Sequence, residues 1–330
     1  LDPSSDAAAR AIAEKEQGYD YSNQCSGDKL ADPYEYVAYI DEAGDPGLTK
    51  VRPLHENGAS EWLMVSAVVV RRQFEPHIAP WIRNTTSTFK NHQRPGIHFA
   101  DLNPAKKLVV CQELAKLPIR CFVVASNKKN MQGYQNPFAS KVSLDVNWFY
   151  CWMTRILLER VTYWAAERSM RDFGKPKTIR IEYSRRGGLS YSQLNAYFEL
   201  LRVKDGDLKL PLGRIRWPVI DREQVAIFNH ETRGGLHLAD IVASAFYKGC
   251  DRYTSGGCDP RFATILAPRM ARDPDRSWGA QCGFGVKLLP SWRVASLLPE
   301  QQQVFRHYGY PAASYSDEWW DPDSSVPDGD

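Results

Sequence analysis

Hydrophobic positions along the chain follow two periods. Short runs dense in β-branched and aromatic residues predict strands at 36–41, 61–70, 119–126, 177–183 and 214–219. In the fourth run Ile179, Ile181 and Tyr183 share one face, and Thr178, Arg180 and Glu182 share the other. Residues 62–70 are interrupted only by Ser66, which predicts a strand buried on both faces and paired antiparallel with the first. Apolar residues three and four apart predict helices over 74–90, 104–117, 140–171, 190–203, 236–248 and 293–306, with a short one at 7–16. The longest carries Leu144, Trp148, Trp152, Ile156, Leu157, Val161 and Trp164 as one stripe, which reads as core packing rather than a cofactor cradle. Pro104 suits a first helical turn, and the segment before it, Gly96-Ile97-His98-Phe99-Ala100-Asp101-Leu102, is a short insertion.

The order is strand, strand, helical insertion, strand, long helix, strand, helix, strand, helix. That order predicts one α/β domain with a mixed sheet flanked by helices. Prolines 260, 268 and 274 and many arginines predict an irregular C-terminal extension. The expected division is a polar arm at 1–35, the domain at 36–312 and an acidic tail at 313–330.

Composition narrows the class. With 43% hydrophobic and 25% charged residues the 330-residue chain is ordinary for a soluble enzyme, and its longest apolar run is too short to span a bilayer. The first 35 residues are polar and acidic, with no secretory signal among them. Seven scattered cysteines without a Cys-x-x-Cys pair suit a reducing cytoplasm and argue against structural zinc.

Net charge changes the picture more. Residues 1–35 carry eight acids against three bases, and 313–330 carry six acids and no base. The whole chain is +3, so the body between the tails is +14. Such a body suits a polyanion such as DNA or RNA. The Trp-bearing acidic tail suits a protein partner, or a cover over the basic surface.

The candidate chemistry starts where the first strand breaks, at Tyr39-Ile40-Asp41-Glu42-Ala43-Gly44-Asp45-Pro46. A carboxylate at a rigid strand end is costly to bury unless positive charge accompanies it, and many enzymes place a divalent metal there. Glu182 on the fourth strand and Asp240 in Leu236-His237-Leu238-Ala239-Asp240 are further acids at element ends. Small Ala243 and Ser244 leave room beside Asp240. Neighbouring strand residues point to opposite faces, so any role for Glu42 depends on the strand ending at Asp41.

Ile40-Asp41-Glu42-Ala43-Gly44-Asp45 and Gly235-Leu236-His237-Leu238-Ala239-Asp240-Ile241-Val242-Ala243 resemble the motifs of the domain-of-unknown-function family numbered 3800. The likeness extends to the His98 segment, Lys128 and Ile181-Glu182, and covers roughly residues 36–250. Three positions depart from the family pattern: Ala43 where Ser is common, His237 where Gln is common, and Glu182 where Asp is common. The resemblance implies a ribonuclease-H-like fold and a metal-dependent nuclease, in a bacterial or phage-defence setting. By that resemblance Asp41, Glu182 and Asp240 would hold Mg²⁺ (or Mn²⁺), with Glu42 as a further acid. Mg²⁺ selects hard oxygen ligands, and two ions would neutralise phosphoryl charge and activate water. His98 and His237 are candidates for proton relay, and Lys128, Arg180, Arg185 and Arg186 for phosphate contacts.

Two enzymatic rivals fall away. A haloacid-dehalogenase-like phosphatase needs a second Asp two residues after the first, and position 43 is Ala. An actin-like ATPase needs a glycine-rich phosphate loop, for which Gly187-Gly188 and Gly234-Gly235 are poor substitutes. The remaining alternative is a non-catalytic nucleic-acid-binding or scaffold subunit.

Overall fold

β1 (Tyr36–Gly44) is the strand around which the sheet is built, and it runs three residues beyond its expected end at Asp41. The structure is a computed structural model in which residues 34–90, 96–132, 134, 147–187, 191–204, 215–253, 256–276 and 279–311 are described. The expected helix at 7–16, the acidic tail and the first turns of the 140–171 helix lie outside those residues.

β2 (Trp62–Arg71) pairs antiparallel with β1 and sets Ser66 opposite Asp41. β3 (Ile119–Asn127) pairs antiparallel with β2. β4 (Ile179–Ser184) lies parallel to β1 on its other side, with Glu182 level with Tyr39. β5 (Ile220–Phe228) is parallel to β4, and β6 (Val286–Leu289) is parallel to β3. The order is β5-β4-β1-β2-β3-β6, in which β2 alone runs against the rest. This is the mixed α/β sheet that the hydrophobic pattern predicts.

Alternation along the strands gives the sheet two apolar faces. Val37, Tyr39, Met64, Val68 and Val123 face α5 (Gly234–Cys250). With it on that side are α1 (Ile78–Ser87), α2 (Pro104–Leu114), α6 (Pro260–Ile265) and α7 (Pro299–His307). Ala38, Ile40, Val65, Phe122 and Val124 face α3 (Trp148–Phe173), which contributes Phe149, Met153, Leu157 and Val161, with α4 (Tyr191–Lys204) beside it. Each such fully buried side chain stabilises the fold by about 1.5–3 kcal/mol relative to exposure. Of the predicted stripe, Ile156, Leu157 and Val161 are buried, Trp148, Trp152 and Trp164 pack partly buried against the same core, and Leu144 lies outside the described residues.

α5 is buried along nearly its whole length. Its start packs on β1 so tightly that a Cβ on Gly235 would lie 2.3 Å from the ring of Tyr39. Ser66 fastens the same helix from the sheet side, donating its hydroxyl to the Ala239 carbonyl at 2.8 Å while lying 3.4 Å from the Asp41 carbonyl.

Three expectations are corrected. The fifth strand is Ile220–Phe228, whereas Trp217–Val219 form a 3-10 turn. Pro218 has no N–H to give a ladder, and the true strand is polar-laced because it pairs on one side only, with β4. The stretch read as irregular holds α6 and the four-residue β6. Residues 72–77 form a 3-10 segment containing Pro76 ahead of α1, so the 74–90 helix starts late and ends at Ser87. Among the described residues no helix is long and apolar enough to cross a membrane.

Candidate active site

Asp41 shares its face of β1 with Val37 and Tyr39, the face that α5 covers, and Asp240 comes down onto it from that helix. Both are buried, at 8% and 5% exposure. Aspartate is usually a solvated residue, but here the structure encloses Asp240. Its Oδ2 accepts the Phe99 N–H at 2.8 Å and its Oδ1 accepts the Ser244 hydroxyl at 2.8 Å. Burial, and then the negative charge of Asp41, push the Asp240 carboxyl above its ordinary range, against those two hydrogen bonds. The pair is therefore a concentration of negative charge that the fold tolerates at a cost.

Three histidines close over it. His230 stands with Nδ1 3.3 Å from Asp41 Oδ2 and Nε2 3.2 Å from the Ile97 carbonyl oxygen. Burial opposes its charged form, but the hydrogen bond to Asp41 and the charge of Asp240 prevail and raise its pKa. An imidazolium satisfies both acceptors, so His230 supplies positive charge to the carboxylates. His237, 4.6 Å from His230 between ring centroids, is buried and pushed down to about 4 by desolvation and by the His230 charge. It is a neutral ring that accepts the Ile97 N–H at 3.4 Å on Nδ1. His98 is exposed at the mouth, its ring 5.6 Å from that of His230.

Glu42 points the other way. Because β1 continues to Gly44, Glu42 falls on the α3 face and meets Tyr150 (3.4 Å) and Arg186 (3.4 Å). Burial and the charge of Asp41 push it up to about 7, against Arg186 and Tyr150. It backs the site from behind the strand.

Glu182 departs from its expected place among the metal ligands. It lies on the correct face, but in register with Tyr39, two residues before Asp41 and so about 7 Å deeper along the strand. Its carboxylate, 1% exposed, is engaged by Arg180 at 2.9 Å and by Arg233 at 3.5 Å. Arg180 also binds Glu75 and, at 2.6 Å, the Tyr34 hydroxyl, so it is a structural ion-pair residue rather than an open phosphate contact. Among the described residues no three His, Cys, Asp or Glu side chains stand close enough together to hold a metal ion without movement. Asp41 and Asp240 offer hard oxygen ligands for such an ion, whereas Glu182 is engaged by two arginines, although burial still pushes its carboxyl above its ordinary range.

Lys128 is likewise corrected. Its side chain is fully buried, and its ammonium binds the Asp45 carbonyl (2.6 Å), Asp45 Oδ1 (3.2 Å) and the Gly47 carbonyl (3.0 Å). It clamps the loop after β1. Arg185 is exposed at the end of β4, and Arg186 turns inward to Glu42.

Sequence reasoning missed His230 and Lys107. His230 follows directly on β5, so placing the fifth strand at 214–219 hid it. Lys107 caps the Phe99 ring at 5.3 Å; burial and Lys248 lower its pKa, while Asp101 and Asp240 raise it. Lys107 therefore stands within electrostatic reach of Asp240. No protein-family model matches this chain, and no curated protein matches it.

Proposed function

We propose that the chain is a divalent-metal-dependent nuclease of ribonuclease-H-like fold, hydrolysing phosphodiester bonds of DNA or RNA. The observation that carries this is the Asp41–Asp240 pair: two buried carboxylates, on a strand and a helix, that repel each other. Carboxylates brought together against their own repulsion are a ready pair of hard ligands for Mg²⁺ or Mn²⁺. The sheet order β5-β4-β1-β2-β3, with only β2 reversed, supports the fold. The likeness of the two motifs around Asp41 and Asp240 to family 3800 supports the activity.

Asp41 and Asp240 would hold the ion, which when bound neutralises phosphoryl charge and lowers the pKa of water. The chain's own groups do the rest. The Phe99 N–H and the Ser244 hydroxyl fix the orientation of Asp240. His230 holds a proton at Nδ1 against Asp41, and exposed His98 at the mouth is placed to give a proton to a departing oxygen. Lys107 attracts the polyanion toward Asp240.

One observation favours the non-catalytic nucleic-acid-binding or scaffold reading: Glu182 is engaged by Arg180 and Arg233 rather than standing beside Asp41. A single assay separates the two. Labelled single- and double-stranded DNA and RNA are incubated with Mg²⁺ or Mn²⁺, using wild type, Asp41→Asn and Asp240→Asn. Metal-dependent cleavage lost in both variants supports the nuclease. Binding without cleavage, unchanged in both, replaces it with the scaffold.

A further inference from the structure

The other end of the sheet carries a concentration of opposite charge. Where β3 begins, a cavity of about 450 Å³ is lined by Arg120, Arg168, Arg171, Arg272, Arg276 and Trp164, with Asp273 as the acid in its wall. An adjoining cavity of about 230 Å³ shares Arg120, Arg168 and Trp164 and adds Arg71 and Arg269. Tyr36, at the start of β1, lines the second cavity, five residues from Asp41 and thus about 16 Å from it along the strand. This is a separate place from the carboxylate pair.

The seven guanidiniums outnumber the carboxylates that meet them. Asp172 serves both Arg71 and Arg168, Glu35 lies 3.7 Å from Arg71, and Asp273 pairs with Arg276 at 3.3 Å. Arg120, Arg269 and Arg272 donate instead to backbone carbonyls, of Ile119 (3.0 Å), Ala115 (2.6 Å) and Gly279 (3.1 Å). Carbonyl bonds orient a guanidinium without neutralising it. Burial, then Arg269, Arg168 and Arg272, push Arg120 below its ordinary range, so these like charges do face one another. Packing alone gives no reason to gather them. Arginine forks match phosphate bidentately, and a concave cavity of this size suits a small molecule better than a duplex backbone. Trp164, half-buried, lines both cavities and offers a planar surface, with Tyr36 and Phe122 set against its ring at 5.7 and 6.2 Å.

We propose that this double cavity binds a nucleotide-sized polyphosphorylated ligand. Arg120, Arg171 and Arg272 take its phosphate chain, and Trp164 takes its planar ring. The proposal does not rest on the nuclease reading.

The test is isothermal titration of the full chain, without divalent metal, with ATP, inorganic tripolyphosphate, adenosine and a single-stranded oligonucleotide of about ten residues. ATP and tripolyphosphate should saturate the protein with a Kd near or below about 100 µM, ATP the more tightly, and adenosine should give no heat. Arg171→Gln and Arg272→Gln should each weaken ATP at least about 10-fold with the circular dichroism spectrum intact, and Asp41→Asn should leave it unchanged. No saturation by about 5 mM, or indifference to both arginine changes, overturns the site. Equal affinity for tripolyphosphate and ATP overturns the role of Trp164. Tighter binding of the oligonucleotide, lost in the same two variants, would make the surface a nucleic-acid track instead.

Discussion

Gly96 lies against the ring of His237 with no space for a side chain between them. A Cβ at residue 96 would stand 2.0 Å from His237 Cε1. The glycine lets the 96–102 segment close over α5, which is how the Phe99 N–H reaches Asp240. Gly96→Ala should therefore destabilise the fold by about 1–3 kcal/mol, the usual range for overpacking, and disturb the support of Asp240. Urea denaturation of Gly96→Ala, His237→Ala and the double variant measures it. Removing the ring should recover much of the loss, and a double variant whose effects simply add would refute the contact.

The carboxylate pair makes its own prediction in the absence of substrate. Because burial and Asp41 penalise the charged form of Asp240, the neutral Asp240→Asn should be more stable than wild type without metal. Mg²⁺ at about ten times its Kd should stabilise wild type by about 1.4 kcal/mol and leave Asp240→Asn and Asp41→Asn unmoved. Thermal melts with and without Mg²⁺ read both effects. A shift of equal size in all three proteins would rule out these residues as ligands.

Glu182 should behave as a structural acid. Glu182→Gln leaves Arg180 and Arg233 without their shared carboxylate. Since both guanidiniums are partly exposed, the loss should be about 2 kcal/mol rather than the full cost of breaking a buried pair. Its Mg²⁺-induced thermal shift should match that of wild type. A variant of unchanged stability that no longer responds to Mg²⁺ would restore Glu182 to the metal.

Lys128 carries a pH signature. Burial pushes its ammonium down to about 8, despite Asp45, from an ordinary 10.5. Between those values the unfolded chain binds a proton that the folded chain does not, so this group adds stability as pH rises through the window. Relative to Lys128→Met, wild type should gain on the order of 2 kcal/mol between about pH 8 and 10.5. Urea midpoints at several pH values test this, and parallel curves for the two proteins would contradict it.

Where a residue's role follows from alternation along one element, the sequence disclosed it. Asp41 and Glu42 had to face opposite sides of any strand that continued past both, and the only open matter was where β1 stopped. The α3 stripe was equally plain. What stayed hidden depended on contacts between distant segments. The depth of Glu182 is set by the β1–β4 register, which no local pattern encodes. Its ion pair with Arg233 comes from a residue 51 positions away. His230 was concealed by the polar character of an edge strand, which made the alternation of Ile215, Trp217 and Val219 look the better strand. β6 is four residues long, too short for alternation to declare itself.

That last strand has a consequence for biosynthesis. Val286–Leu289 pairs with Val123–Ser126, and Arg269 and Ala271 bond to Cys121 just before it, so the flank of β3 is completed by chain made some 150 residues later. At about 5–20 residues per second, a ribosome needs roughly 10–30 s to supply it. Through that interval the nascent protein presents an unpaired edge made of Cys121, Phe122, Val123 and Val124, the kind of template on which neighbouring polysomal chains join. The demand for a holdase should therefore be greatest midway through translation, and should fall once the last 50 residues of the folded region leave the exit tunnel.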